Sequence, residues 1–144
     1  MNLKINNSNK KGFTLIELLV AVSIIGIILA LGIFGLQGAR VSSRDARRKA
    51  DLELIRSGLE IYKADCYSYP VALGSSLAGD DGSPSCLSSN VYISAVPGDV
   101  IETRSYLYVS DGITYELCAA LEGDGSDTCS ASCGETCSYR VTNP

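Results

Sequence analysis

KKGFTLIELLVAVSIIGIILALGIFGL, residues 10–36, is the stretch whose reading decides the fold. Two lysines and a glycine precede an apolar run that carries one charge, Glu17, near its start. The run from 13 to 36 is about 24 residues long, enough at about 1.5 Å per residue to cross a hydrocarbon core of roughly 30 Å. It is too long for the apolar core of a secretory signal, and no small-residue cleavage site follows it. A lone carboxylate in such a segment costs about 2.5–3.5 kcal/mol on insertion scales. Glu17 therefore calls for a partner.

The order Lys11, Gly12, Phe13, Thr14, Leu15, Ile16, Glu17 resembles the N-terminus of type IV prepilins and type II secretion pseudopilins. The resemblance implies a leader at 1–12, a cut by the prepilin peptidase between Gly12 and Phe13, and N-methylation of Phe13. It also implies that Glu17 pairs with the N-terminal amine of a neighbouring subunit. That role is physically coherent, because a paired carboxylate and ammonium replace two separately unpaired charges in an apolar core. The implied protein is a structural subunit of a pilus or pseudopilus, not an enzyme. It is a single-pass precursor in the cytoplasmic membrane with its C-terminal domain outside, and later part of a pilus or a periplasmic pseudopilus. The implied partners are the prepilin peptidase, other copies of itself and related pilins, the inner-membrane assembly machinery and the lipid bilayer. A narrower alternative is the major pseudopilin of a type II secretion system. An alternative of another class is a monomeric, membrane-anchored, disulfide-rich binding domain whose Glu17 snorkels to the interface. Glu17 separates the two classes, because an anchor has no use for it.

Composition narrows the chemistry. The chain has no histidine and no tryptophan, which excludes His-based triads and His-liganded metals. Of the twelve Lys and Arg residues, only Arg104 and Arg140 follow Lys63, whereas ten acidic residues follow Pro70. An acidic C-terminal domain argues against binding a phosphate backbone, so no nucleic-acid partner is expected. Arg40, Arg44, Arg47, Arg48 and Lys49 follow the apolar run and outnumber the three lysines before it. A plain Lys/Arg count would put the C-terminus inside. The cysteines and the Lys-Gly-Phe junction outweigh that count.

From residue 37 to 65 the helix is expected to continue as an amphipathic segment. Leu52, Ile55, Leu59 and Tyr62 recur at helical spacing, with Val41 on the same face and Leu54, Gly58 and Ile61 widening it. The stretch DLELIRSGLEIYKADCYSYP (51–70) also resembles major pseudopilins, with Tyr62, Asp65, Tyr69 and Pro70 matching. Gly26, Gly32 and Gly35, with Gly38 just beyond, suit close helix packing or local unwinding of the apolar helix. Residues 71–104 read as a loop with a short strand near 91–96. Period-two patterning then gives strands over 106–109 and 113–121 around a turn at Ser110, Asp111 and Gly112. A third strand is expected over 138–142, with Tyr139 and Val141 facing inward. Leu107 and Val109 on the first strand, and Tyr115, Leu117, Ala119 and Leu121 on the second, are expected to face the helix. The fold class is thus α+β. A long N-terminal helix, membrane-spanning in its first half, packs against a small antiparallel sheet in a disulfide-stapled domain at 66–144.

All six cysteines, Cys66, Cys86, Cys118, Cys129, Cys133 and Cys137, lie in that domain. An even number confined to a small domain reads as disulfides in an oxidising compartment. Spacing does not choose the pairing; Cys66 with Cys86 is preferred because it ties the long loop to the helix end. The missing C-x-x-C excludes a thiol–disulfide enzyme, and the spacing is not that of a zinc site. No cofactor is expected. Glu122, Asp124 and Asp127 on a Gly-bearing loop are the candidates for calcium, set against a plain solvated acidic loop.

The junction generates a direct expectation. The mature N-terminus is N-methyl-Phe13, read by intact mass and N-terminal peptide analysis of native material. Gly12→Val leaves the precursor uncut. A mature chain beginning at Met1, or beyond Leu36, would contradict this reading.

Overall fold

The computed structural model describes residues 12–144 other than 124, 127, 128 and 131, with the backbone alone at 34 and 35. The elements run α1 (Leu15–Cys66), β1 (Leu77–Ala78), β2 (Val91–Ile93), β3 (Leu107–Ser110), β4 (Tyr115–Ala119) and β5 (Tyr139–Thr142). β1 and β2 pair as an antiparallel ribbon, and β3, β4 and β5 form an antiparallel sheet in that order. The fold is α+β, a long helix with small antiparallel sheets. The chain divides into two compact units, Met1–Ala39 and Arg40–Pro144, and α1 contributes residues to both.

In the first unit the helix is uninterrupted through Gly26, Gly32 and Gly38. It is long and apolar enough to cross a membrane. Every described large apolar side chain from Phe13 to Leu36 is between 49% and 80% exposed.

In the second unit one stripe of α1 makes the core. Leu52, Ile55, Leu59 and Tyr62 are buried against Tyr115, Leu117, Ala119 and Val141 of the sheet, with Leu77 and Ile93 of the ribbon. Gly58 lets the ribbon approach, since a Cβ there would lie 2.4 Å from Ile93 Cγ1. The helix stops at Tyr67, whose left-handed backbone (φ 62°) lets its N–H bond to the Lys63 carbonyl at 2.9 Å, an αL cap on a residue other than glycine. Pro70 then bars any return to helix.

The structure corrects several expected positions. Leu54 and Ile61 do not widen the buried face; they are 49% and 56% exposed. β2, β4 and β5 are shorter than expected, β3 keeps its length but begins one residue later, and β1 was not foreseen. The helix-facing side of β3 carries Tyr108 rather than Leu107 and Val109. Tyr108 pairs with Leu117 and Leu107 with Cys118, and opposed residues share a face. Leu107 accordingly packs on the far side with Cys118, Ala120, Cys133 and Cys137, and Val109 is exposed. Leu121 lies beyond the end of β4. The sheet is therefore covered on both faces, by the helix on one and by the cysteine loop on the other. This explains why β4 is buried at four of its five positions.

The core contact predicts a contrast on one helix. Leu59→Ala, at a site with no exposure, should cost about 2–5 kcal/mol. Leu54→Ala should change stability by no more than about 0.5 kcal/mol. Denaturant melts of the full chain in detergent, followed by near-UV tyrosine circular dichroism, measure both. Equal losses would place the core wrongly.

Candidate functional site

At the start of α1 the backbone leaves four N–H groups without helical partners. Thr14 and Glu17 meet this need reciprocally. Glu17 N–H donates to Thr14 Oγ1 at 3.3 Å, while Glu17 Oε2 accepts from Thr14 N–H at 2.9 Å and from the Thr14 hydroxyl at 2.6 Å. This is a capping box, the pattern Thr-x-x-Glu in which cap and third helical residue satisfy each other. Gly12 and Phe13 precede it and are exposed, and nothing lies within 4 Å of where a Gly12 side chain would start. Reading the sequence for an intermolecular partner of Glu17 passed over its local one. The signal was present, since Thr14, three residues before Glu17, is the capping-box spacing itself.

A second polar constellation lies in the other unit, where the basic run meets distant loops. Arg48 has no exposed surface. Its guanidinium is shared among three carboxylates. Nε donates to Asp99 Oδ2 at 2.7 Å and Nη2 to Asp99 Oδ1 at 3.1 Å, while Nη1 donates to Asp45 Oδ1 at 2.7 Å and to Glu122 Oε1 at 2.8 Å. Arg44 closes the far side of Glu122, donating from Nε to Oε1 at 2.6 Å and from Nη2 to Oε2. Asp45 also accepts from the backbone N–H groups of Glu122 (2.9 Å) and Gly123 (2.8 Å), and Asp99 from that of Ile101 (2.8 Å). The helix is thus tied to the β2–β3 and β4–β5 connections.

The titration of these groups follows from the contacts. The hydrogen bond from Arg44 dominates at Glu122 and, with Arg48, outweighs burial to hold its carboxyl at about 2. Burial alone would raise Asp45 and Asp99. The backbone donors and Arg48 more than offset it at Asp45, as do Arg48 and Ile101 N–H at Asp99, so both lie below the ordinary carboxylate range. The bond from Asp99 raises the Arg48 guanidinium against the opposing effect of burial. This network was not foreseen; the basic run was weighed only as a signal of membrane topology. Lys49 is also engaged, 5.3 Å from the Tyr139 ring centre.

The arrangement does not fit calcium at Glu122. Both its carboxylate oxygens are committed to guanidinium groups, and two adjacent positive charges oppose a third cation. Asp124 and Asp127 lie outside the described residues. The six cysteines form three bridges, Cys66–Cys86, Cys118–Cys129 and Cys133–Cys137. The first joins the end of α1 to the loop before β2. The other two brace the loop that covers the outer face of the sheet. With every sulfur bonded, the Cys–carboxylate groupings around Asp80 and Glu116 offer no thiolate to a metal.

Comparison with known proteins bears on the N-terminal segment. Residues 7–33 match the family described as the prokaryotic N-terminal methylation motif. The chain is 31% identical over 61 residues to the type II secretion system core protein G of Escherichia coli (strain K12), covering 42% of each chain. It is 36% identical over 61 residues to the protein of the same name from Pseudomonas aeruginosa, covering 42% of this chain and 43% of that one. To that of Klebsiella michiganensis it is 32% identical over 62 residues, covering 43% and 44%. The chain thus spans less than half the length of the curated relatives it matches. No solved structure matches it.

The depressed carboxyls predict acid sensitivity. Glu122 releases its proton at about 2 when folded, against an ordinary value of 4.5. Its contribution is complete above about pH 4.5 and is lost as the pH falls towards 2. Melting temperature of the C-terminal domain, read across that window, should fall progressively, and Glu122→Gln should flatten the fall. An unchanged slope in the variant would remove Glu122 from the acid response.

Proposed function

Because this chain belongs to the type IV pilin and pseudopilin family, we propose that it is a structural subunit made as a single-pass membrane precursor, cut after Gly12, methylated at Phe13 and polymerised through α1. The family is a structural one. On this reading residues 1–12 are the leader, 13–36 the membrane and assembly helix, 37–65 its amphipathic continuation and 66–144 the outer domain. The narrower reading is a major pseudopilin of type II secretion, in keeping with the core protein G relatives.

The observation that carries the proposal is the exposure of the apolar run. Its described large apolar side chains from Phe13 to Leu36 are all between 49% and 80% exposed. A surface of that size needs lipid before assembly and other helices afterwards. Glu17 is the acidic residue on this surface. The capping box supplies it with donors from Thr14, all on Oε2, and among the described residues none is on Oε1, where an incoming amine could bind. The three disulfides support an oxidising compartment for the outer domain. The implied partners are the prepilin peptidase, further copies or related pilins, and the assembly machinery of the inner membrane.

Substitution at Glu17 tests the mechanism. Glu17→Leu removes both the cap and the charge, whereas Glu17→Gln keeps a capping acceptor and removes only the charge. Both should insert normally, and neither should yield filaments, because the subunit amine is left unpaired in an apolar core at a cost of several kcal/mol. Electron microscopy of sheared material, with membrane fractions blotted in parallel, reads both outcomes. Wild-type filament levels from Glu17→Gln would show that capping, not charge pairing, is what assembly needs.

A further inference from the structure

The free edge of β3 takes no part in anything described above. The alternation of the β3–β4 ladder decides what that edge presents. Asp111 N–H donates to the Thr114 carbonyl at 3.3 Å, and the same register sets Val109 opposite Glu116 and Leu107 opposite Cys118. Bonded pairs recur at every second residue. The backbone N–H and C=O of Leu107 and Val109 therefore point to β4, and those of Tyr106 and Tyr108 point away from it. Among the described residues these outward groups have no hydrogen-bond partner.

The edge is used once, near the turn, where Tyr69 N–H donates to the Gly112 carbonyl at 2.8 Å. Beyond that bond the chain leaves β3, and a groove of about 700 Å³ opens between Ser105–Tyr108 and the segments 71–74 and 96–99. The buried side chains of Ile55 and Leu117 also line it. Its volume is that of a ligand-binding cleft. The two outer edges of the sheet differ in protection. β5 carries the exposed Arg140, the kind of charge that discourages pairing. From Tyr106 to Ser110 there is no charged residue, and Val109 is exposed.

We propose that the β3 edge is a strand-addition site, which takes an extended segment of another polypeptide. The guest backbone pairs with Tyr106 and Tyr108, and its alternate apolar side chains enter the groove towards Ile55 and Leu117. Donors and acceptors that alternate along one strand match a β partner, whereas a compact small molecule would satisfy them only in part. Backbone pairing supplies affinity and the alternate side chains supply selectivity. The site lies wholly within the second unit, and it does not depend on the filament reading.

Hydrogen–deuterium exchange mass spectrometry on the full chain in detergent micelles tests it. The probes are three synthetic peptides of threonine alternating with valine, leucine or phenylalanine. At least one should slow exchange at Tyr106 and Tyr108 saturably, by about tenfold, and leave β5 unaffected. Gly98→Phe fills the groove at a position where an added Cβ meets nothing within 4 Å. Val109→Lys puts a charge on the edge. Each should abolish the protection while exchange elsewhere stays as in the parent chain. The proposal is overturned if none of the peptides protects the edge. Protection confined to β5 or to the apolar helix, or protection that survives both variants, overturns it as well.

Discussion

The second unit is organised around the complete burial of one positive charge. Removing a guanidinium from water is costly unless ions and hydrogen bonds replace the lost hydration. Arg48 meets that condition with Asp45 from its own helix and with Asp99 and Glu122 from connections 51 and 74 residues further along the chain. The two loops are therefore fixed by what Arg48 requires. With the connections in place, β3 and β4 lie across the helical stripe, and Leu117 can meet Leu52, Ile55 and Leu59. The ion network specifies a position, and apolar contacts around it supply the burial.

The first unit follows the opposite rule. Its described residues show a hydrophobic surface and no buried core, so its stability belongs to whatever surrounds it. The capping box at Thr14 and Glu17 connects the unit's start to its chemistry. It ends the helix cleanly and keeps a carboxylate hydrogen-bonded in a setting where an unpartnered one would be costly. The basic run after the apolar stretch also changes meaning in the folded chain. Arg44, Arg48 and Lys49 are engaged by Glu122, Asp99 and Tyr139, so most of that charge is internally answered rather than displayed.

β4 joins the two layers of the second unit. One face meets the helix. The other carries Cys118, which is bonded to Cys129 and sits beneath a loop closed by Cys133–Cys137. A domain of this size has a limited apolar core. The disulfide loop extends the buried region to the second face of the sheet, where a solvent-facing strand would have shown polar residues.

Local and periodic features were legible in the sequence. The length and composition of 13–36, the helical spacing of Leu52, Ile55, Leu59 and Tyr62, and the turn at Ser110–Gly112 all depend on neighbours within a few residues, and the structure agrees with each. What depends on distant partners was not legible. Period two says that faces alternate along β3, but only the register with β4 says that Tyr108 and not Leu107 or Val109 meets the helix. Leu54 and Ile61 have the composition of a buried face, and the tertiary packing leaves them outside it. Arg48 looked like one more cation in a basic run, because the carboxylates that bury it arrive from two later loops. The sequence by itself determined the long helix, its buried stripe and the hairpin that follows, since these rest on short-range sterics and hydrophobic pattern. Tertiary structure alone decided register, burial of charge and the pairing of the last four cysteines, because each is settled by which remote groups come within a few ångströms.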